Sequence, residues 1–135
     1  MLELLSPAGS MEALRAAVQN GANAVYLGVG NLNARQSAKN FTPQTLVDAV
    51  KYCHVRGVDV HLTLNTLVSD REMKEAAELI RHAAQYNIDA FIVQDLGVVQ
   101  LCRQIAPHIP IHGSTQMTVH SLPGVQLCAA MGMKR

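Results

Sequence analysis

Tryptophan is absent from this 135-residue chain, and aromatic residues make up only 4% of it. A core must therefore be packed from Leu, Val, Ile, Ala and Met. Cysteine is scarce as well, at positions 53, 102 and 128 only, with no Cys-x-x-Cys pair. That spacing excludes a disulfide-stapled scaffold and fits a reduced, cytoplasmic setting. No apolar run approaches the ~18 residues of a spanning helix, so no membrane insertion is expected. Glu3 stands where a secretion signal needs a basic region. Charge of one sign is also missing, since 11 Lys+Arg against 10 Asp+Glu leave a net +1. Such a balance gives no field for DNA or an acidic membrane, while leaving room for a local RNA-facing patch. The six histidines (54, 61, 82, 108, 112 and 120) form no His-Glu-x-x-His or Cys/His cluster, so no metal site is expected here.

Apolar residues are plentiful at 49%, which suffices for a core and excludes a disordered chain. They fall into alternating short apolar runs and helical stripes. Strands are predicted at 2–5, 23–28, 58–64, 88–93 and 109–112. Helices are predicted at 11–20, from Pro43 until Gly57 ends the segment, at 70–86, 96–106 and 121–131. Thr42 before Pro43 is an N-cap followed by proline at the first helical position. Ser69 and Glu72 have the spacing of a capping box. The last residues, 132–135, read as the opening of one more such unit. The domain expectation is the amino-terminal part of a (β/α) barrel over 1–135, cut just before strand six.

Alternation of this kind predicts an α/β fold with a parallel sheet under helices. A dinucleotide-binding sheet should carry Gly-x-Gly-x-x-Gly after its first strand, and residues 6–11 are Ser-Pro-Ala-Gly-Ser-Met instead. Polar residues follow every strand: Ser6, Gly28, Asn65, Gln94 with Asp95, and His112 with Ser114. Barrel enzymes draw their sites from the carboxyl ends of several strands, whereas a doubly wound sheet gathers them at one switch point. The expectation is parallel (β/α) repeats forming an incomplete TIM-like barrel. A whole barrel needs about 250 residues. A partial one exposes parallel edges, through which self-association is expected.

Candidate catalytic residues are Asp95, Ser114 and His112. Asp95 reads either as a carboxylate facing substrate or as a helix N-cap. Ser114 with His112 and Asp95 raises a nucleophile–base–orienter arrangement, set against simple turn hydrogen bonding, and no Gly-x-Ser-x-Gly elbow is present. Asn65 suits a polar ligand or a loop carbonyl, because its amide both donates and accepts. Arg35, near Lys39 in the polar stretch 29–41, suits a bound anion or simple solvation.

Ser-Pro-Ala-Gly at 6–9, Ala-Val-Tyr-Leu-Gly at 24–28, Thr-Leu-Asn-Thr at 63–66, Val-Gln-Asp-Leu-Gly at 93–97 and His-Gly-Ser-Thr-Gln-Met at 112–117 form an ordered set. In this the chain resembles the amino-terminal part of the peptidase U32 family. The resemblance implies a (β/α) barrel-type core. It places Ser6, Tyr26, Asn65, Gln94, Thr115 and Gln116 in site-facing motifs, as substrate contacts alongside Arg35. It implies a collagenase-like protease, although no proteolytic machinery is evident. Related members hydroxylate RNA bases or ubiquinone precursors with a [4Fe–4S] cluster, and prephenate is implicated as the oxygen source for RNA. The cluster's cysteines lie further along in the family, so a cluster is implied for the full-length protein and none for this segment. Three readings follow: a U32-type peptidase on peptide, part of an Fe–S-dependent RNA base hydroxylase, or an inert folding fragment.

Overall fold

The computed structural model describes residues 2–34 and 40–135. Arg35 and Lys39, and with them the anion expectation, lie outside the described residues.

Five short strands alternate with five helices. The strands are β1 (Leu5–Pro7), β2 (Ala24–Gly28), β3 (Asp59–Leu64), β4 (Ala90–Val93) and β5 (Ile111–Gly113). The helices are α1 (Met11–Gln19), α2 (Pro43–His54), α3 (Met73–Gln85), α4 (Leu96–Ile105) and α5 (Leu122–Ala130). All strand pairs are parallel, and sheet order equals chain order, β1-β2-β3-β4-β5. A sheet wound in two directions would break that order at a switch point. Met133 forms a further parallel bridge to Ile111, backed by Lys134 N–H donating to the Ile111 carbonyl at 2.8 Å. The sheet is an open barrel wall.

Period-two alternation sorts the strand residues. Val25, Val60, Leu62, Phe91 and Val93 point to the helix side and are fully buried. Helices α1, α2 and α4 seal that side with Leu14, Leu46, Val50, Val98 and Val99. The other parity carries Tyr26, His61, Thr63, Ile92 and His112 onto the concave face.

The helices begin where capping chemistry dictates. Thr42 and Thr45 form a reciprocal capping box that spans Pro43. Ser10, Asp95 and Ser121 each accept a backbone N–H at the start of α1, α4 and α5.

Some boundaries differ from expectation. The first strand starts at Leu5 rather than residue 2. Asn23 Oδ1 takes the Leu4 N–H at 2.8 Å and so ends the ladder there, leaving Leu2 and Leu4 exposed. Helix α3 starts at Met73 rather than 70. Ser69 gives both its N–H (2.8 Å) and its hydroxyl (2.6 Å) to the Glu72 carboxylate. That hydroxyl is thereby spent as a donor and caps no helix N–H. Strands β4 and β5 each begin two residues later than predicted, because the ladder β3–β4 opens at His61 opposite Ala90 and β4–β5 at Phe91 opposite Ile111.

Candidate functional site

A cleft of about 590 Å³ opens on the concave face at the carboxyl rim of the strands. Barrel interiors are ordinarily filled with branched apolar side chains. Here the concave side presents a phenol, two imidazoles, hydroxyls and amides.

Its walls are tied together across strands. Asn65, just past β3, accepts the Ala34 N–H on Oδ1 at 3.0 Å and donates through Nδ2 to Ser114 Oγ at 3.4 Å. Ser114 Oγ also accepts the Gln116 N–H at 3.2 Å, and Gln94 Nε2 donates to the Gln116 carbonyl at 3.2 Å. Thr63 donates to the Leu27 carbonyl at 3.0 Å, locking β3 against β2. Beside it the buried Asn33 donates to the Gly30 carbonyl at 3.1 Å, and its amide packs on Gly28 so closely that any Cβ there would collide with it. Gly28 is thus required by close approach.

Of the residues expected from sequence, Tyr26, Asn65, His112, Ser114, Thr115 and Gln116 line the cleft together. Ser6 does not. It pairs with Val25, whose side chain faces the helices, so period-two geometry turns Ser6 the same way. Gln94 stands behind the rim as a brace for Gln116. Asp95 has its carboxylate engaged by backbone: Oδ1 accepts from Gly97 (2.7 Å) and Val98 (3.2 Å), and Oδ2 from Val68 (3.2 Å). The capping role is thus what the geometry displays. Among the described residues, neither His112 nor Asp95 hydrogen-bonds Ser114, whose oxygen is bonded to two amides. A serine nucleophile needs a general base at that oxygen.

Asn33, Thr63, Arg135 and His61 went unpredicted. Thr63 and His61 share strand parity with the cleft, a signal present in the run 58–64. Arg135 reaches the cleft by extending the strand-six bridge: Gly113 N–H donates to its carbonyl at 2.7 Å, and its guanidinium grips the Glu3 carboxylate at 3.1 and 2.6 Å. That hydrogen-bonded guanidinium holds Glu3 below the ordinary carboxylate range.

The histidines set the electrostatics. His61 and His112 meet edge to face, with ring centroids 5.0 Å apart and planes at 83°. They come from β3 and β5, which alternate in the wall and so share a layer of the barrel interior. In the intervening strand Ala90 pairs with His61 and Ile92 with His112. His61 is 4% exposed, and its Nδ1 is buried without a hydrogen-bond partner among the described residues. An orphan of this kind costs about 1–3 kcal/mol. Burial pushes His61 below its ordinary value. Burial, helped by His61 and Arg135, pushes His112 down to about 4. Both rings are neutral near pH 7 and offer uncharged hydrogen-bonding nitrogens.

Metal and cluster chemistry find no support in this segment's donors. Among the described residues no group of three or more His, Cys, Asp or Glu is placed to hold a metal. Cys53 and Cys102 are buried on separate helices, and burial raises their thiols to about 11 and about 12. Cluster ligation needs thiolates. These cysteines do not fit a [4Fe–4S] site. No helix among the described residues is long and apolar enough to cross a membrane.

Comparison with known proteins places the chain in context. A family model described as "Peptidase family U32" matches residues 9–135. An "Uncharacterized protease" of Methanocaldococcus jannaschii is 40% identical over 88% of this chain and 29% of its own length. A "tRNA hydroxylation protein P" of Helicobacter pylori is 42% identical over 99% of this chain and 32% of its own length. The Escherichia coli "23S rRNA 5-hydroxycytidine C2501 synthase" is 36% identical over 97% of this chain and 19% of its own length. The chain therefore spans less than a third of these relatives. Among solved structures, a U32 peptidase superposes at TM-score 0.78 with 14% identity, covering 98% of this chain and 56% of that one. A monomeric form of phosphoribosylanthranilate isomerase from Thermotoga maritima superposes at 0.55 with 16% identity, covering 83% and 52%. These likenesses show an α/β barrel-like fold.

Proposed function

The chain belongs to peptidase family U32, and from that premise we propose that it forms the ligand-facing part of an RNA base hydroxylase rather than of a peptidase. The observation that carries this reading is the concave face. Tyr26 and His112 supply flat rings, His61 packs beneath against His112, and Asn65, Ser114 and Gln116 supply paired donors and acceptors. Proteins recognise an unstacked base by rings on its face and hydrogen bonds on its edge. Relatives named for tRNA and rRNA hydroxylation support the same reading.

A peptidase would need an activated nucleophile, and the hydroxyl of Ser114 is held by amides. This chain's residues would bind and orient a base, exclude water from its face and accept a proton-bearing edge at a neutral imidazole. Oxygen transfer belongs to groups that these cysteines do not hold.

The test is genetic and chemical. Deleting the gene for the protein and digesting total RNA to nucleosides should remove one nucleoside bearing an extra oxygen, and the intact gene should restore it. Purified protein should leave gelatin and casein uncut. An unchanged nucleoside profile, or gelatin cleavage that survives purification to homogeneity, would overturn the reading.

A further inference from the structure

His61 is a poor choice for stability at its position. It lies under the cleft floor, 4% exposed, with Nδ1 unpartnered, in a place where an apolar ring would leave nothing unsatisfied. Among the described residues its ring contact is with His112, the cleft-lining imidazole, which it meets at 83°. Edge-to-face packing constrains the rotation of both rings. We infer that His61 is a positioning residue: packed edge-on against His112, it fixes the ring of the cleft in the orientation that meets an uncharged planar ligand, a nucleobase in chemical class. The ligand class rests on the function proposed above. The positioning relation rests on the geometry alone.

Charge around the pair agrees with an uncharged ligand edge. His61 feels Glu3 ahead of β1, Asp59 on its own strand, Asp89 ahead of β4 and Arg135 beyond the strand-six bridge. His112 feels His61, Arg135 and Glu3. Arg135 and Glu3 largely cancel as a pair, so burial governs both rings.

Replacing His61 by Phe keeps a ring and removes its nitrogens. In protein carrying 13C-labelled histidine, the His112 signal should titrate near 4 in the wild type and stay well below 6.5 in His61→Phe, where burial of the ring persists. Millimolar cytidine or uridine should shift the wild-type His112 signal. Affinity for the nucleoside should fall about tenfold in both His61→Leu and His112→Ala, and no further in the double variant, as for two residues acting as one unit, while His61→Phe, which keeps a ring edge against His112, should hold wild-type affinity. Melting temperature of His61→Phe should equal or exceed that of the wild type. Unchanged nucleoside affinity in His61→Leu, or strictly additive losses, would overturn the inference. So would a wild-type His112 signal indifferent to both nucleosides. That last result with hydroxylation still lost on gene deletion removes this inference and leaves the function standing. Nucleoside binding through His112 with hydroxylation intact does the reverse.

Discussion

Arg135 and Glu3, 132 residues apart in sequence, form a two-pronged ion pair at 2.6 and 3.1 Å. It joins the segment just past the Met133–Ile111 bridge to the lead-in of β1. Both side chains remain substantially exposed, at 55% and 37%. Arg135→Gln should therefore cost no more than about 1 kcal/mol in denaturant unfolding, and less at high salt. A larger or salt-independent loss would show that the pair is shielded from solvent.

Asp95 distinguishes capping from catalysis. Asp95→Ala removes acceptors from Gly97, Val98 and Val68 and should cost about 1–2 kcal/mol. Asp95→Asn retains an oxygen for the cap but loses the acceptor for the Val68 N–H, and should cost no more than about 1 kcal/mol while keeping RNA hydroxylation in a complemented strain. Loss of hydroxylation by the Asn variant at normal stability would assign the carboxylate a chemical role.

Gly28 is held to its identity by Asn33. Gly28→Ala should destabilise by about 1–3 kcal/mol, since the buried amide must leave its bond to Gly30 to make room. Equilibrium unfolding measures this directly. Adding Asn33→Ala should recover part of the loss, and strict additivity would contradict the contact.

Acid should weaken the fold through the imidazole pair. Their folded-state values lie below the ordinary 6.5, His112 at about 4. Groups of this sign contribute fully above 6.5, and their contribution fades as pH falls from there toward 4. Glu3 acts lower, below its ordinary 4.5. Thermal melts from pH 8 to 4 should be level to about 6.5 and then decline. His61→Phe should flatten the decline between 6.5 and 4.5, and an equal slope in both proteins would refute the assignment.

Much of this fold is legible in sequence, where the governing interactions are local. Thr42 with Pro43, and Asp95, announce their helices because a cap joins residues two or three apart. Two-residue periodicity in 58–64 tells the helix face from the concave face. Ser69 and Glu72 mislead because capping-box spacing does not say which oxygen receives the proton. Ser6 misleads because a motif gives no parity until Val25 pairs with it. The meeting of His61 with His112 is invisible along the chain, since it depends on curvature that brings alternate strands together. Arg135 is likewise legible only once the strand-six bridge forms.

Because each strand lies beside its immediate predecessor, the sheet can assemble in the order of synthesis. Every new βα unit finds its template edge already emerged, so no strand must wait for a distant partner. Assembly of this kind keeps loop-closure costs small at each step. The Arg135–Glu3 clasp is the exception, and it can form only after the last unit described here has docked.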